Sequence, residues 1–145
     1  MRVVVQRVSS AEVVIEGRVN GKIDKGLLVL VGFTIDDTKE KVTWMCNKLI
    51  GLRIFSDEND KMNLSVRDID GGILLISNFT LYGEAVKGNR PNFSAAAKPE
   101  LAIPLYDFML EELKKSGIKT ESGIFGAMMD VKLTNDGPVT IVIDR

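Results

Sequence analysis

A chain of 145 residues, 45% hydrophobic and 27% charged, is sized for one ordinary domain spanning residues 1–145 and is too apolar for global disorder. It has no histidine and one cysteine, Cys46, which excludes Ser-His-Asp and Cys-His catalysis, an imidazole acid or base, His-containing zinc sites and any intrachain disulfide. Nineteen basic residues against 20 acidic ones give a net charge of −1, which argues against a broad nonspecific nucleic-acid binder but leaves room for a local positive patch.

The N-terminal MRVVVQRV is rich in β-branched valine, and residues 11–15 continue that pattern. Arg7 recharges it too early for a signal peptide or a membrane span, so the expected location is the cytoplasm. Gly17-Arg18 and Asn20-Gly21 supply turn chemistry around a second short β segment. Gly26 opens LLVLVGF, a continuous apolar run expected to be a strand covered on both faces. Asp37-Thr38-Lys39-Glu40 resembles a capping box with Asp37 as cap. Behind it Val42, Met45, Cys46 and Leu49 recur at i, i+3, i+4 and i+7, a helix stripe facing a sheet, which Gly51 ends. Residues 52–55 read as a strand leading into the charged turn 57–61.

Gly71-Gly72 precedes ILLIS, a second buried strand that runs directly into NFTLYG. Residues 83–98 read as a long loop, where Lys87, Arg90 and Lys98 outweigh Glu84. A second helix, beginning at Pro99 or Pro104, carries Leu105, Met109 and Leu113 at four-residue spacing and runs to Lys115. VKLT and VTIVID are expected to form a hairpin around Asn135-Asp136-Gly137-Pro138. The predicted order is β-β-β-α-β-β-α-β-β: a mixed α/β fold, largely antiparallel, with two main helices. No GxGxxG or GxxxxGK[ST] run supports a nucleotide-cofactor site.

Without imidazole, chemistry must rest on hydroxyls, carboxylates, amines, backbone donors or the substrate itself. The densest candidate is Ser77-Asn78-Phe79-Thr80, at the end of a buried strand and before a long loop. If that stretch stays extended, Ser77 and Phe79 face one side and Asn78 and Thr80 the other. The same residues also suit a strand end whose polar groups satisfy neighbouring backbone. Gly137-Pro138 is either a plain turn or a constrained junction, since proline biases the residue before it toward extended conformations. Asp57, Glu58 and Asp60 lack EF-hand spacing and read as an acidic surface turn. Cys46 lies in an apolar stripe and reads as a buried structural thiol. Lys114-Lys115 reads as a solvated helix end, and Met128-Met129 as core or pocket lining.

Taken together, MRVVVQRVSSAEV, GLLVLVGF, LRIFSDENDKMNLS, SNFTLYG, GNRPNFSAAAKPE and SGIFGAMMDVKLTNDGPVT resemble bacterial-type D-aminoacyl-tRNA deacylases across essentially the whole chain. The resemblance implies the family's own mixed α/β fold, no metal and no organic cofactor. It implies a homodimer that acts on the 3′ end of tRNA, hydrolysing the ester between the terminal adenosine and a D-amino acid or glycine. Ser77, Asn78, Phe79 and Thr80 match the family's Ser-Gln-Phe-Thr segment, with asparagine in place of the usual glutamine. Gly137 and Pro138 match a cis Gly-Pro segment that reaches the first from the other subunit and excludes L-residues by clash. Phe125, Gly126 and Met129 match the segment near the adenosine. The family's chemistry is assisted by the adenosine 2′-hydroxyl. Backbone N–H groups around Phe79 and Thr80 are then expected to face the oxyanion, with Thr80 positioning substrate or water and forming no acyl-enzyme. Lys87, Arg90 and Lys98 are the expected tRNA contacts, with Lys114 and Lys115 weaker candidates. The alternative from another class is a noncatalytic tRNA-binding module.

Overall fold

Alternating valines bury Val3 and Val5 and set the first strand, β1 (Arg2–Ile15), in the computed structural model, which describes residues 1–145. Strands β2 (Arg18–Ile23) and β3 (Gly26–Gly32) follow by short turns, and β3 is buried along almost its whole length, as its unbroken apolar run requires. Helix α1 (Lys39–Gly51) turns Val42, Met45, Cys46 and Leu49 inward. A two-stranded ribbon, β4 (Phe55–Ser56) and β5 (Met62–Leu64), leads to the central strand β6 (Gly72–Ser77). A 3₁₀ turn at Phe79–Tyr82, helix α2 (Pro99–Lys115), β7 (Thr120–Ser122) and β8 (Asp130–Asp144) complete the chain.

The main sheet runs β2-β1-β3-β6-β7, with β8 along the other edge of β1. β1 is antiparallel to β2, β3 and β8, while β6 is parallel to both β3 and β7. The parallel pair β3/β6 needs a crossover, and α1 with the β4/β5 ribbon supplies it. Val3, Val5, Leu27, Val29, Ile73 and Leu75 meet α1 and α2 in the larger core cluster, where Met45, Leu49, Met109 and Leu113 are fully buried. The second half of β1 serves a smaller cluster, in which Val8, Ala11, Val13 and Ile23 pack with Leu28, Leu74 and Ile76. No helix is long and apolar enough to cross a membrane.

Three local expectations change, and one alternative is resolved. The two C-terminal β runs are one strand, β8, because β1 is long enough to pair with both of them. Between the pairs Gln6↔Thr140 and Val8↔Asn135, β1 advances two residues while β8 advances five, so the segment around Asp136-Gly137-Pro138 is looped out of the ladder instead of turning the chain back. Helix α1 is capped by Thr38, whose hydroxyl accepts from Lys41 N–H. Asp37 is instead fully buried, taking the Met1 ammonium at 2.5 Å and the Thr34 N–H at 2.8 Å. Of residues 52–55 only Phe55 joins a strand, the short β4. Helix α2 begins at Pro99, leaving Pro104 on its exposed face inside the helix.

Candidate active site

The parallel strands β3 and β6 end side by side, with Val31 opposite Ser77. Asn78 N–H donates to Val31 O at 2.7 Å, and there the extended chain stops. Asn78 caps the 3₁₀ turn, its side chain accepting from Thr80 N–H, so the expected alternation of residues 77–80 across a strand does not occur. Beyond these strand ends opens a cavity of about 510 Å³, floored by Val31, Gly32, Ser77 and Asn78. Its walls come from Phe79, Phe93, the start of α2 and the segment from Phe125 to Met129.

The lining is mostly apolar, with a few convergent polar groups, the usual character of a small-molecule site. Phe79 stays 57% exposed and meets Phe93 edge to face at 5.2 Å, a large apolar surface beside polar Ser77 and Asn78. Phe125 is held edge to face against Tyr106 at 5.8 Å, and the Tyr106 hydroxyl donates to Leu75 O inside β6. That desolvation raises the Tyr106 phenol to about 12, so it remains a neutral anchor. Gly126 adopts a left-handed backbone at φ +77. Met129 packs over Gly123, and Met128 stands almost fully exposed at the rim.

The cavity therefore brings together Ser77, Asn78, Phe79, Phe125, Gly126, Met129 and Lys98, the last at the start of α2. Thr80 is exposed just outside the lining. Lys87 and Arg90 lie beyond a two-way backbone bridge between Glu84 and Asn92, on an exposed loop tip. Lys114 and Lys115 end α2, where Lys115 pairs with Glu112 at 3.1 Å. Cys46 is buried in α1, and its thiol is pushed up to about 12 by burial, aided by Glu112. Asp57 accepts from Asn59 N–H, Lys61 N–H and the Asn63 amide, which makes it the organiser of its own turn.

Gly137 and Pro138 stand at a second place. Their peptide bond is cis, and Gly137 has φ +120, a backbone suited to glycine. Arg7 supports them from below. Its Nε donates to Asp136 O at 3.2 Å and pairs with the Asp136 carboxylate at 3.0 Å, while Nη1 donates to Ile54 O at 2.7 Å. A Cβ on Gly137 would lie 2.8 Å from Arg7 Nη2. Asn135 closes the base of the loop by donating to both Arg7 O and Val139 O. The 3₁₀ turn lies at the Arg2 end of β1, where Arg2 donates to Leu81 O, whereas Gly137 lies at Arg7. Five residues of strand separate them, about 17 Å. Gly137 and Pro138 are not part of the lining of the cavity in their own chain.

Phe93, Arg7 and Asn135 help build these sites, although the sequence reading names none of them as a site residue. Arg7 had a usable signal, since it shares the inward parity of Val3 and Val5 and is 8% exposed.

A mixed sheet with two helices on one face and an apolar cavity at its strand ends, free of imidazole, defines a small α/β ligand-binding class. The family model for D-Tyr-tRNA(Tyr) deacylase matches residues 4–144. A D-aminoacyl-tRNA deacylase of Exiguobacterium sibiricum is 54% identical over 145 residues, covering 100% of both chains. One from Fusobacterium nucleatum is 56% identical over 144 residues, covering 99% of this chain and 95% of its own. Among solved structures, a c-Myc DNA unwinding element binding protein superposes with a TM-score of 0.93 at 40% identity, covering 100% of this chain and 99% of its own. A probable eukaryotic D-amino acid tRNA deacylase, 17% identical, shares the fold with a TM-score of 0.88, covering 99% and 98%. The chain belongs to the D-aminoacyl-tRNA deacylase family.

Proposed function

We propose that this chain is a D-aminoacyl-tRNA deacylase, an ester hydrolase that releases a D-amino acid, or glycine mischarged on tRNA, from the 3′-terminal adenosine and spares L-aminoacyl-tRNA. The observation that carries the proposal is the apolar cavity lined by Ser77, Asn78 and Phe79 on one side and Phe125, Gly126 and Met129 on the other. A nucleoside fits such a lining, its base against the aromatic and thioether side chains and its aminoacyl ester toward residues 77–79. Water attacks the ester carbon, assisted by the adenosine 2′-hydroxyl, and the ribose oxygen leaves as a hydroxyl. Negative charge on the tetrahedral intermediate is met by backbone N–H. Thr80 N–H is already directed at Asn78 Oδ1, so the Phe79 N–H, at the start of the 3₁₀ turn, is the donor assigned to the oxyanion. The chemistry calls on no metal and no organic cofactor.

Stereochemical rejection is assigned to Gly137 and Pro138 of a second copy, because their own chain holds them about 17 Å along β1 from the 3₁₀ turn. The functional unit is then a homodimer with two shared sites, each closed by the partner's backbone. Lys98 at the cavity and Lys87 and Arg90 on the loop tip are assigned to the phosphates of the acceptor end, in the cytoplasm where charged tRNA is found.

Hydrolysis of matched D-Tyr-, L-Tyr- and glycyl-tRNA, with and without chelator, tests this directly. Expected are release from the D-Tyr and glycyl substrates, survival of the L-Tyr ester, and the same rates with chelator present. Binding without turnover would leave a noncatalytic tRNA-binding module. Light scattering should give twice the chain mass at assay concentration, and a strict monomer with full stereoselectivity would overturn the shared site.

A further inference from the structure

Phe93 is an aromatic ring that the fold fixes in place without burying. It keeps 38% of its surface exposed while packing against Phe79 and over Gly83, where an added Cβ would lie 2.9 Å from Phe93 Cε1. Its backbone is clamped on both sides. Asn92 and Glu84 exchange N–H and C=O bonds at 2.8 and 2.9 Å, and Ala96 N–H donates to Phe93 O at 3.0 Å. Just beyond, the Thr34 hydroxyl donates to Ala95 O at 2.7 Å and Ala97 N–H to Phe33 O at 2.8 Å, which ties the segment to the end of β3. A ring held this way meets a flat ligand without the cost of ordering a mobile side chain.

The cavity has three walls, and an aminoacyl nucleotide leaves its ribose in three directions. Under the deacylase reading, on which this inference rests, the ester lies toward residues 77–79 and the base toward residues 125–129. The third wall, from Phe93 through Ala96 and Ala97 to Lys98, is left for the 5′ side, by which the strand continues to the next nucleotide. Charge fits that course. Lys98 stands at the cavity end of the segment and Lys87 and Arg90 on the exposed loop tip, and none of the three forms an ion pair. Along the chain, the exposed ring lies between these cations. We infer that Phe93 stacks the base of the penultimate nucleotide of the tRNA 3′ end, a subsite at the mouth of the cavity. Stacking reads the face of a base and no hydrogen-bonding edge, so the subsite holds the strand end without selecting its sequence. The ring governs binding and takes no part in bond breaking.

The test crosses Phe93→Leu with three D-Tyr-tRNAs whose penultimate nucleotide is cytidine, uridine or a ribose lacking its base, with kcat and KM resolved. All three keep the phosphate, so only the base differs. For the wild type, removing the base should raise KM about tenfold to a hundredfold, the scale of one stacked base, at nearly constant kcat. Uridine should match cytidine to within about threefold. Phe93→Leu should raise KM for the cytidine substrate by much more than for the base-free one, and Phe93→Tyr should restore the wild-type pattern. Base removal that costs Phe93→Leu as much as it costs the wild type, a uridine substrate as poor as the base-free one, or a Phe93→Leu loss confined to kcat would each overturn the subsite. Should Phe93→Leu not fold, Phe93→Met takes its place. A wild-type chain inert toward ordinary D-Tyr-tRNA sinks the deacylase reading itself, whereas an active wild type indifferent to the missing base sinks only the role of Phe93.

Discussion

Arg7 is a buried cation that serves as scaffolding. Its guanidinium ties β1 to Ile54 and to Asp136, and so holds the exposed Gly137-Pro138 segment proud of the sheet. Removing it strands the Ile54 carbonyl without its donor and leaves Asp136 without its cation. Arg7→Ala is expected to cost about 2–4 kcal/mol, which denaturant unfolding would register as a lower midpoint. Its second expected effect is on selectivity: the D-over-L ratio of deacylation should fall by more than the D-rate itself, because a segment that rejects by contact loses its effect once it can yield. Equal losses on both substrates would place Arg7 outside the stereochemical filter.

At the scale of elements, the site depends on how closely β3 and β6 approach. Gly26 pairs with Gly72 across the parallel ladder, and a Cβ on Gly26 would collide with the Gly72 carbonyl oxygen. Gly26→Ala must therefore force apart a pair of fully packed strands, one of which ends in Ser77. A loss of about 3 kcal/mol or more is expected, with poor soluble yield and collapse of activity; thermal unfolding of the purified variant measures it.

The elements legible in the sequence were those whose cause is local: the valine alternation of β1, the apolar run of β3, the stripe of α1 and the proline start of α2. The misread ones were decided by distant partners. Asn-Asp-Gly-Pro has the composition of a hairpin turn, but β1, paired with β8 across 116 to 142 residues of sequence, claims both flanking runs. Asp37 has the composition of a cap, yet the Met1 ammonium, 36 residues away, takes its carboxylate. The alternation of residues 77–80 failed because Asn78 satisfies Thr80 N–H itself and starts a 3₁₀ turn. The gathering of residues 77–79 with 125–129 was readable only through family resemblance, since no spacing brings two segments 46 residues apart into one cavity.

For the whole molecule, the lack of histidine leaves no side chain with an ordinary pKa between pH 5 and 8. The carboxylates that depart from their usual range do so downward. Asp57 is held low by the Asn63 amide and the N–H groups of Lys61 and Asn59, Asp68 by the Ser65 hydroxyl and N–H, and Asp144 by the Arg2 guanidinium. A carboxyl whose folded pKa is depressed adds stability above its unfolded value, near 3.9, and loses it as pH falls through the folded value. The denaturation midpoint should thus stay level from pH 7 down to about 5 and drop below about pH 4. An inflection near pH 6 would contradict this.

The antiparallel pairing of β1 with β8 joins Arg2 to Asp144 and sets the order of events during synthesis. Until the final strand clears the ribosome, β1 keeps a row of unanswered amide and carbonyl groups along one side, open to whatever strand a neighbouring nascent chain presents. Pairing along that side is therefore a late event, and the interval between emergence of β1 and of β8 is when crowded polysomes put this protein most at risk of mispairing.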